Sequence, residues 1–284
     1  MSTTRRGVCG ALLGLMLAGS AFAAPPPVAG TYALADGKPG VSATLAVTPG
    51  TPTVLDIAMA RLGDARPITR YDVELSKRLH VIAVSGDFRV FLHEHAERPG
   101  ADGHFRVPIR FPGGGGWHVY ADAVPSGLGQ QVMRFDIGSD PSGTSPAAPQ
   151  PTGLTGNDGR YGVRFDALDL RAGQNTQLKL HVLRDGKPAP DLAPFLGVAA
   201  HAVLISAADL SFVHAHAAPA AAGAAHHHGM AGMPGMEEAH PPGAKLPADL
   251  LLHVTAPKAG TYLLWLQFSA GGRVRTVPFV VAVA

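Results

Sequence analysis

HVIAVSGDFRVFLHEH, residues 80–95, is two short apolar runs joined by Ser85-Gly86-Asp87-Phe88, with one histidine at its start and two at its end. Gly at the first central position suits a two-residue hairpin turn that needs positive φ, so the stretch reads as two antiparallel strands. That turn sets His80 opposite His93, with Cβ atoms about 4.5–5.5 Å apart as in any cross-strand pair. His95, two residues on, points to the same face. Three imidazoles then share one patch, alongside Ile82 and Phe91, at the end of the core side of the sheet.

The pattern occurs twice. Residues 201–216, HAVLISAADLSFVHAH, repeat the spacing H-x12-H-x-H, so His201, His214 and His216 form a second trio, although the shift of Asp209 relative to Asp87 requires a different turn. The same offset of 121 pairs Ile57 with Leu178, Met59 with Leu180, Asp64 with Asp185, Pro67 with Pro188 and Phe91 with Phe212. FPGGGGWHVYAD (111–122) matches APKAGTYLLWLQ (256–267) at an offset of 145, so the second copy carries 24 extra residues between His216 and Leu250.

Alternating apolar runs such as LDIAMARL, QLKLHVL and TYLLWLQF, separated by Gly, Pro, Asn and Asp, mark an all-β chain. Several short strands in about 100 residues point to two tandem antiparallel β-sandwich domains, immunoglobulin-like or cupredoxin-like. Repeat 1 spans 28–138, a Pro/Gly/Ser-rich linker 139–158, and repeat 2 159–284 with a His/Met-rich insertion at about 217–245.

Residues 1–24 have a basic start at Arg5 and Arg6, an apolar stretch from Ala11 to Ala18 and small residues before a cut, the form of a secretory signal peptide. The stretch is shorter than the roughly 20 residues a bilayer span needs. Export to the periplasm or beyond is expected, with no membrane span in the mature chain. Cys9, the single cysteine, leaves with the signal, so neither disulfides nor thiolate ligands remain. Loss of Arg5 and Arg6 leaves Lys+Arg equal to Asp+Glu at 21, and nothing favours nucleic acid as partner.

A buried imidazole needs partners for both ring nitrogens, and a metal ion satisfies three rings at once. Neutral imidazole suits Cu(II), Zn(II) and Ni(II). Asp122 is a candidate fourth ligand in the first copy; its counterpart Gln267 is a poorer one, which makes the first site the expected tighter site. The plain alternative is that the histidines only pair with backbone and each other at a sheet end. His104, His118, His181 and His253 lack a counterpart and read as surface or structural residues.

The insertion contains HHHGMAGMPGMEEAH (226–240), which joins His226, His227 and His228 to Met230, Met233, Met236 and His240. Its methionines have Gly, Ala and Pro as neighbours, which burial does not explain. Thioethers suit Cu(I) and imidazoles Cu(II), so a loop with both favours copper, with zinc possible.

The histidine segments, each followed by a strand of the type WHVYAD or TYLLWLQF, resemble bacterial exported tandem-repeat heavy-metal-binding proteins, over most of residues 50–284. The Met/His loop is similar to those of periplasmic copper-resistance proteins. The resemblance implies a periplasmic, sandwich-like metal-binding role; the expected partners are a metal ion and a periplasmic or membrane copper transporter or acceptor. Ala96 and Ala217 stand where that pattern has proline, and no histidine shortly precedes His80. The expected function is copper sequestration, tolerance or delivery without catalysis, since G-x-S-x-G, HExxH and a catalytic cysteine are all missing. A metal-free envelope interaction module is the alternative, and a copper-dependent enzyme the third reading.

Overall fold

A computed structural model describes residues 26–35, 37–74, 76–138, 150–220 and 240–284. The expected signal peptide, most of the expected linker, and His226, His227, His228, Met230, Met233 and Met236 lie outside the described residues. The described residues are all-β with antiparallel strand pairing, as the apolar alternation predicts. Among the described residues no helix is long and apolar enough to cross a membrane.

The first half forms two sheets. One runs β1 (Val28–Ala29), β3 (Val41–Thr48), β4 (Thr53–Arg61), β8 (Phe105–Ile109). The other runs β2 (Thr31–Tyr32), β10 (Gln131–Ile137), β9 (Trp117–Pro125), β6 (Leu79–Ser85), β7 (Phe91–Ala96), with β5 (Tyr71–Asp72) on β9. Leu55, Ile57 and Phe105 of one sheet meet Leu79, Val81, Val119 and Phe135 of the other in a single core.

The second half repeats this order. β11 (Thr155–Asp158), β12 (Tyr161–Phe165), β13 (Asn175–Arg184) and β18 (Asp249–Thr255) form one side, with β14 (Lys187–Pro188) beside β13. β17 (Phe212–Pro219), β16 (Ala200–Ser206), β19 (Gly260–Ala270) and β20 (Arg273–Val283) form the other, with β15 (Leu192–Ala193) on β19. Here β17 also pairs with β18, from His216↔His253 to Pro219↔Leu250, so both sides join into one ten-stranded sheet folded over its core.

The two histidine hairpins correct the register expected from Gly86. His80 faces His95 and Ile82 faces His93, two residues from the predicted pairing. Gly86 keeps an ordinary φ; Phe88 instead takes φ 60° and donates its N–H to Ser85 O at 2.7 Å, so the loop is longer than a two-residue turn. The second hairpin has the equivalent register, His201↔His216 and Val203↔His214, while its positive φ falls one position later, on Leu210. A slip of two residues preserves side-chain parity, so all three histidines of each copy still share a face.

That face is not the core side. β6 is buried on both sides: Leu79, Val81 and Ala83 enter the first core, whereas His80, Ile82 and Val84 point outward. β16 divides likewise, Ala200, Ala202 and Leu204 inward and His201, Val203 and Ile205 outward. The two outer faces cover one another. Ile82, Val84, Tyr120 and Val132 of the first sandwich and Val203, Ile205, Phe212, Leu263 and Trp265 of the second make a third apolar cluster between them. A strand covered on both faces reads as a continuous apolar run, which is why periodicity alone misassigned the side.

The interface has a pseudo-two-fold character. Phe91 stacks on Trp265 with ring centroids 5.0 Å apart, and the repeat-equivalent pair Phe212 and Tyr120 stacks at 5.1 Å. Tyr120 OH donates to Leu210 O at 3.0 Å across the junction, and Phe212 N–H donates to Ala33 O at 2.9 Å. Trp265 is 3% exposed, so Trp265→Ala opens a cavity in the junction and should cost about 3–5 kcal/mol. Urea denaturation of the purified chain measures it; a loss below about 1 kcal/mol would show that this contact is not a packed interface.

Candidate metal centre

Among the described residues, two groups of histidines could each hold a metal ion: His80, His93 and His95, and His201, His214 and His216. In each, one nitrogen per ring lies within 4.8 Å of the other two. In the first, His93 Nε2 stands 3.3 Å from His80 Nδ1 and 3.1 Å from His95 Nε2. In the second, His214 Nε2 stands 3.2 Å from His201 Nδ1. Tetrahedral metal–nitrogen bonds of about 2.0–2.1 Å place ligand nitrogens about 3.3 Å apart.

The outward nitrogens decide which way the lone pairs point. His80 Nε2 and His201 Nε2 donate to backbone carbonyls, Glu74 O at 3.3 Å and Phe195 O at 2.9 Å. His93 Nδ1 donates to Gln267 Oε1 at 2.7 Å, and His214 Nδ1 donates to Asp122 Oδ2 at 2.9 Å. A neutral imidazole carries one N–H, and these bonds place it on the outer nitrogen. The inner nitrogens of these four rings therefore present lone pairs to each other, contacts that are not hydrogen bonds. His216 Nε2 is buried without any partner. A cation at the centre of each trio satisfies these nitrogens together, and outer partners that fix tautomer and ring orientation are the usual companions of ligating histidines.

Both side-chain partners cross the junction. Gln267 belongs to the second sandwich and holds a histidine of the first; Asp122 belongs to the first and holds one of the second. The strand order places them there: β9 lies beside β6 with Asp122 opposite His80, and β19 lies beside β16 with Gln267 opposite His201. Asp122, expected as a fourth ligand of the first trio, thus engages the second through His214 and accepts hydrogen bonds from Gln130 Nε2 on both oxygens, at 3.0 and 3.1 Å. The reason for a tighter first site falls with that placement. The cause is the outward direction of the histidine face, which sequence could not supply. The same packing brings the trios side by side, with His80 5.2 Å and His93 6.0 Å from His214 between ring centroids, and His93 6.0 Å from His201.

The remaining sequence candidates separate from the trios. His240 donates its backbone N–H to Gly197 O at 2.8 Å. His104 pairs with Asp56, His118 with Asp136, and His181 with Asp166 and Asp249. Glu74 and Phe195 were not singled out from sequence; they stand 121 apart and serve through their carbonyls, which no side-chain pattern signals. Gln130 and Thr276, which fix Asp122 and Gln267, were missed for the same lack of any local motif.

Burial dominates the electrostatics. It depresses the protonation of His93 to about 3, of His95 to about 2 and of His216 to about 4, with neighbouring imidazoles adding to the effect. His201 and His214 are held well below the ordinary value for the same reasons. Burial raises Asp122, against the pull of His80, Gln130 and His216, and pushes Glu74 up to about 8, with Asp122 repulsion second.

Over residues 155–284, which contain the whole second trio and Gln267, the chain matches a family described as a domain of unknown function (DUF8832). None of the curated proteins matches the chain.

The depressed histidines imply a pH dependence of the metal-free fold. Below about 6.5, the ordinary histidine value, the unfolded chain binds protons that the folded chain refuses, down to the folded values near 4 and below. Stability is full above that window and is lost as pH falls through it. Urea unfolding of chelator-treated protein between pH 7.5 and 4.5 should show an uptake on the order of two to three protons per unfolding event; a flat profile would mean that the rings are not buried as neutral groups.

Proposed function

We propose that the chain is an exported metal-binding protein that holds copper in its two histidine trios and sequesters it or passes it to a periplasmic or membrane transporter or acceptor. The observation that carries this reading is the inward convergence of imidazole nitrogens at 3.1–3.3 Å, with the outer N–H groups of His80, His93, His201 and His214 already engaged. That donor set suits Cu(II), with zinc as a competitor.

The choice of copper draws on the insertion, whose thioethers at Met230, Met233 and Met236 suit Cu(I). One end continues a strand of the second trio and the other meets the loop that precedes β16. It leaves β17, which bears His214 and His216, and returns at His240, hydrogen-bonded to Gly197 two residues beyond Phe195. Export draws on the basic, apolar and small-residue order of residues 1–24.

Dialysed mature protein titrated with Cu(II) should take up one equivalent per trio, with any further equivalent assigned to the insertion. His93→Ala with His95→Ala should remove one equivalent, and binding should persist through the ordinary imidazole range and weaken only as pH falls toward about 4 and below, where the buried rings begin to take protons. Unchanged stoichiometry would refute the first site, and no retained copper at all would leave the interaction-module reading standing. A copper-dependent enzyme is favoured by one observation, the approach of the two trios across the junction. Multiple-turnover oxygen consumption by the loaded protein with an added reductant would support it; a single stoichiometric reduction favours storage.

A further inference from the structure

The trios match in their inward nitrogens and differ in what holds the middle histidine. His93 Nδ1 meets a neutral amide oxygen, that of Gln267, whose Nε2 is turned away to donate to Thr276 Oγ1 at 2.9 Å. His214 Nδ1 meets the carboxylate of Asp122, which is wholly buried and anchored on both oxygens by Gln130. Both acceptors orient a ring. Only the carboxylate adds charge: it strengthens the outer hydrogen bond, raises the basicity of the inner nitrogen and offsets the charge of an ion bound there.

We infer that Asp122, a residue of the first sandwich, is the affinity-setting positioning residue of the second metal site, so that His201, His214 and His216 form the tighter site and fill first. The inference rests on the metal-binding reading above and reverses the order expected from sequence. A cation in the second trio then lies beside the rings of His80 and His93 in a compartment with little water, where like charges repel more strongly than in solvent. The first site therefore fills second and more weakly. Neither step depends on the insertion.

The test uses the full mature chain, Cu(II) as probe and competition with a chelator of known affinity. His95→Ala cripples the first trio and His216→Ala the second. Both spare the hydrogen bonds to Gln267 and Asp122, because neither residue makes them. The His95→Ala chain, with its second trio whole, should bind Cu(II) about 10–100-fold more tightly than the His216→Ala chain, the range typical of outer-shell partners. Asp122→Asn keeps the volume and an acceptor oxygen and so reproduces the amide arrangement of the first site. It should cost the His95→Ala chain at least tenfold more than it costs the His216→Ala chain. Gln267→Glu in the His216→Ala chain should raise affinity, and it decides the matter alone if Asp122→Asn does not fold. Equal affinities of the two chains, equal losses from Asp122→Asn, or no gain from Gln267→Glu overturns the inference. If neither chain holds more Cu(II) than His95→Ala with His216→Ala combined, the metal-binding reading itself falls.

Discussion

The apposition of two outer sheet faces is the constraint on which the rest of this molecule depends. In an isolated sandwich, the side of β6 that carries His80, Ile82 and Val84 would be a solvent face, and with Tyr120 and Val132 it would expose an apolar patch that calls for a partner. The partner is the same surface of the other copy. Burying the large side chains of this junction stabilises it by about 1.5–3 kcal/mol each, and that gain offsets the cost of placing imidazoles and a carboxylate where water cannot reach them. Without the apolar half of the junction, the histidine half would remain hydrated and loosely held.

Repetition supplied two equivalent surfaces, and divergence then gave their equivalent positions different work. Phe195 packs its ring near His93, His95 and its own His201, while Glu74 at the matching position keeps a carboxyl group with Oε2 buried and unpartnered. Only their backbones act alike, each carbonyl taking the outer N–H of the first histidine in its trio. Asp122 and Gln267 diverged from one another in charge but kept the same crossed geometry. The two copies thus share directions and differ in chemistry, which leaves the two trios with unlike outer partners.

How much was legible in the sequence follows from which quantities survive small errors. The strand pattern, the repeat and the shared face of each trio survive a two-residue error in register, because parity is all they need. The hairpin pairing itself did not, since Gly86 suggested a tighter turn than the one in which Phe88 takes the positive φ. The side of the sheet was not legible at all: Leu79 to Val84 are apolar on both faces, so no periodicity distinguishes core from junction. For that reason Asp122 was assigned to the wrong trio, and the carbonyls of Glu74 and Phe195 were invisible because any residue supplies a carbonyl.

A fold selected for stability alone would not keep this arrangement. Each trio turns lone pairs toward lone pairs, and a buried polar atom without a partner costs about 1–3 kcal/mol; His216 Nε2 is such an atom. Apolar residues of similar size would remove the penalty and extend the neighbouring cluster of Val203, Phe212 and Trp265. A proton could in principle relieve it, yet burial holds these rings unprotonated well below neutral pH. A cation that accepts several nitrogens at once would remove it in both trios. Local violations of packing and hydrogen-bonding rules concentrate where a protein acts on something outside itself, and here two such violations stand at equivalent places in two copies of one fold.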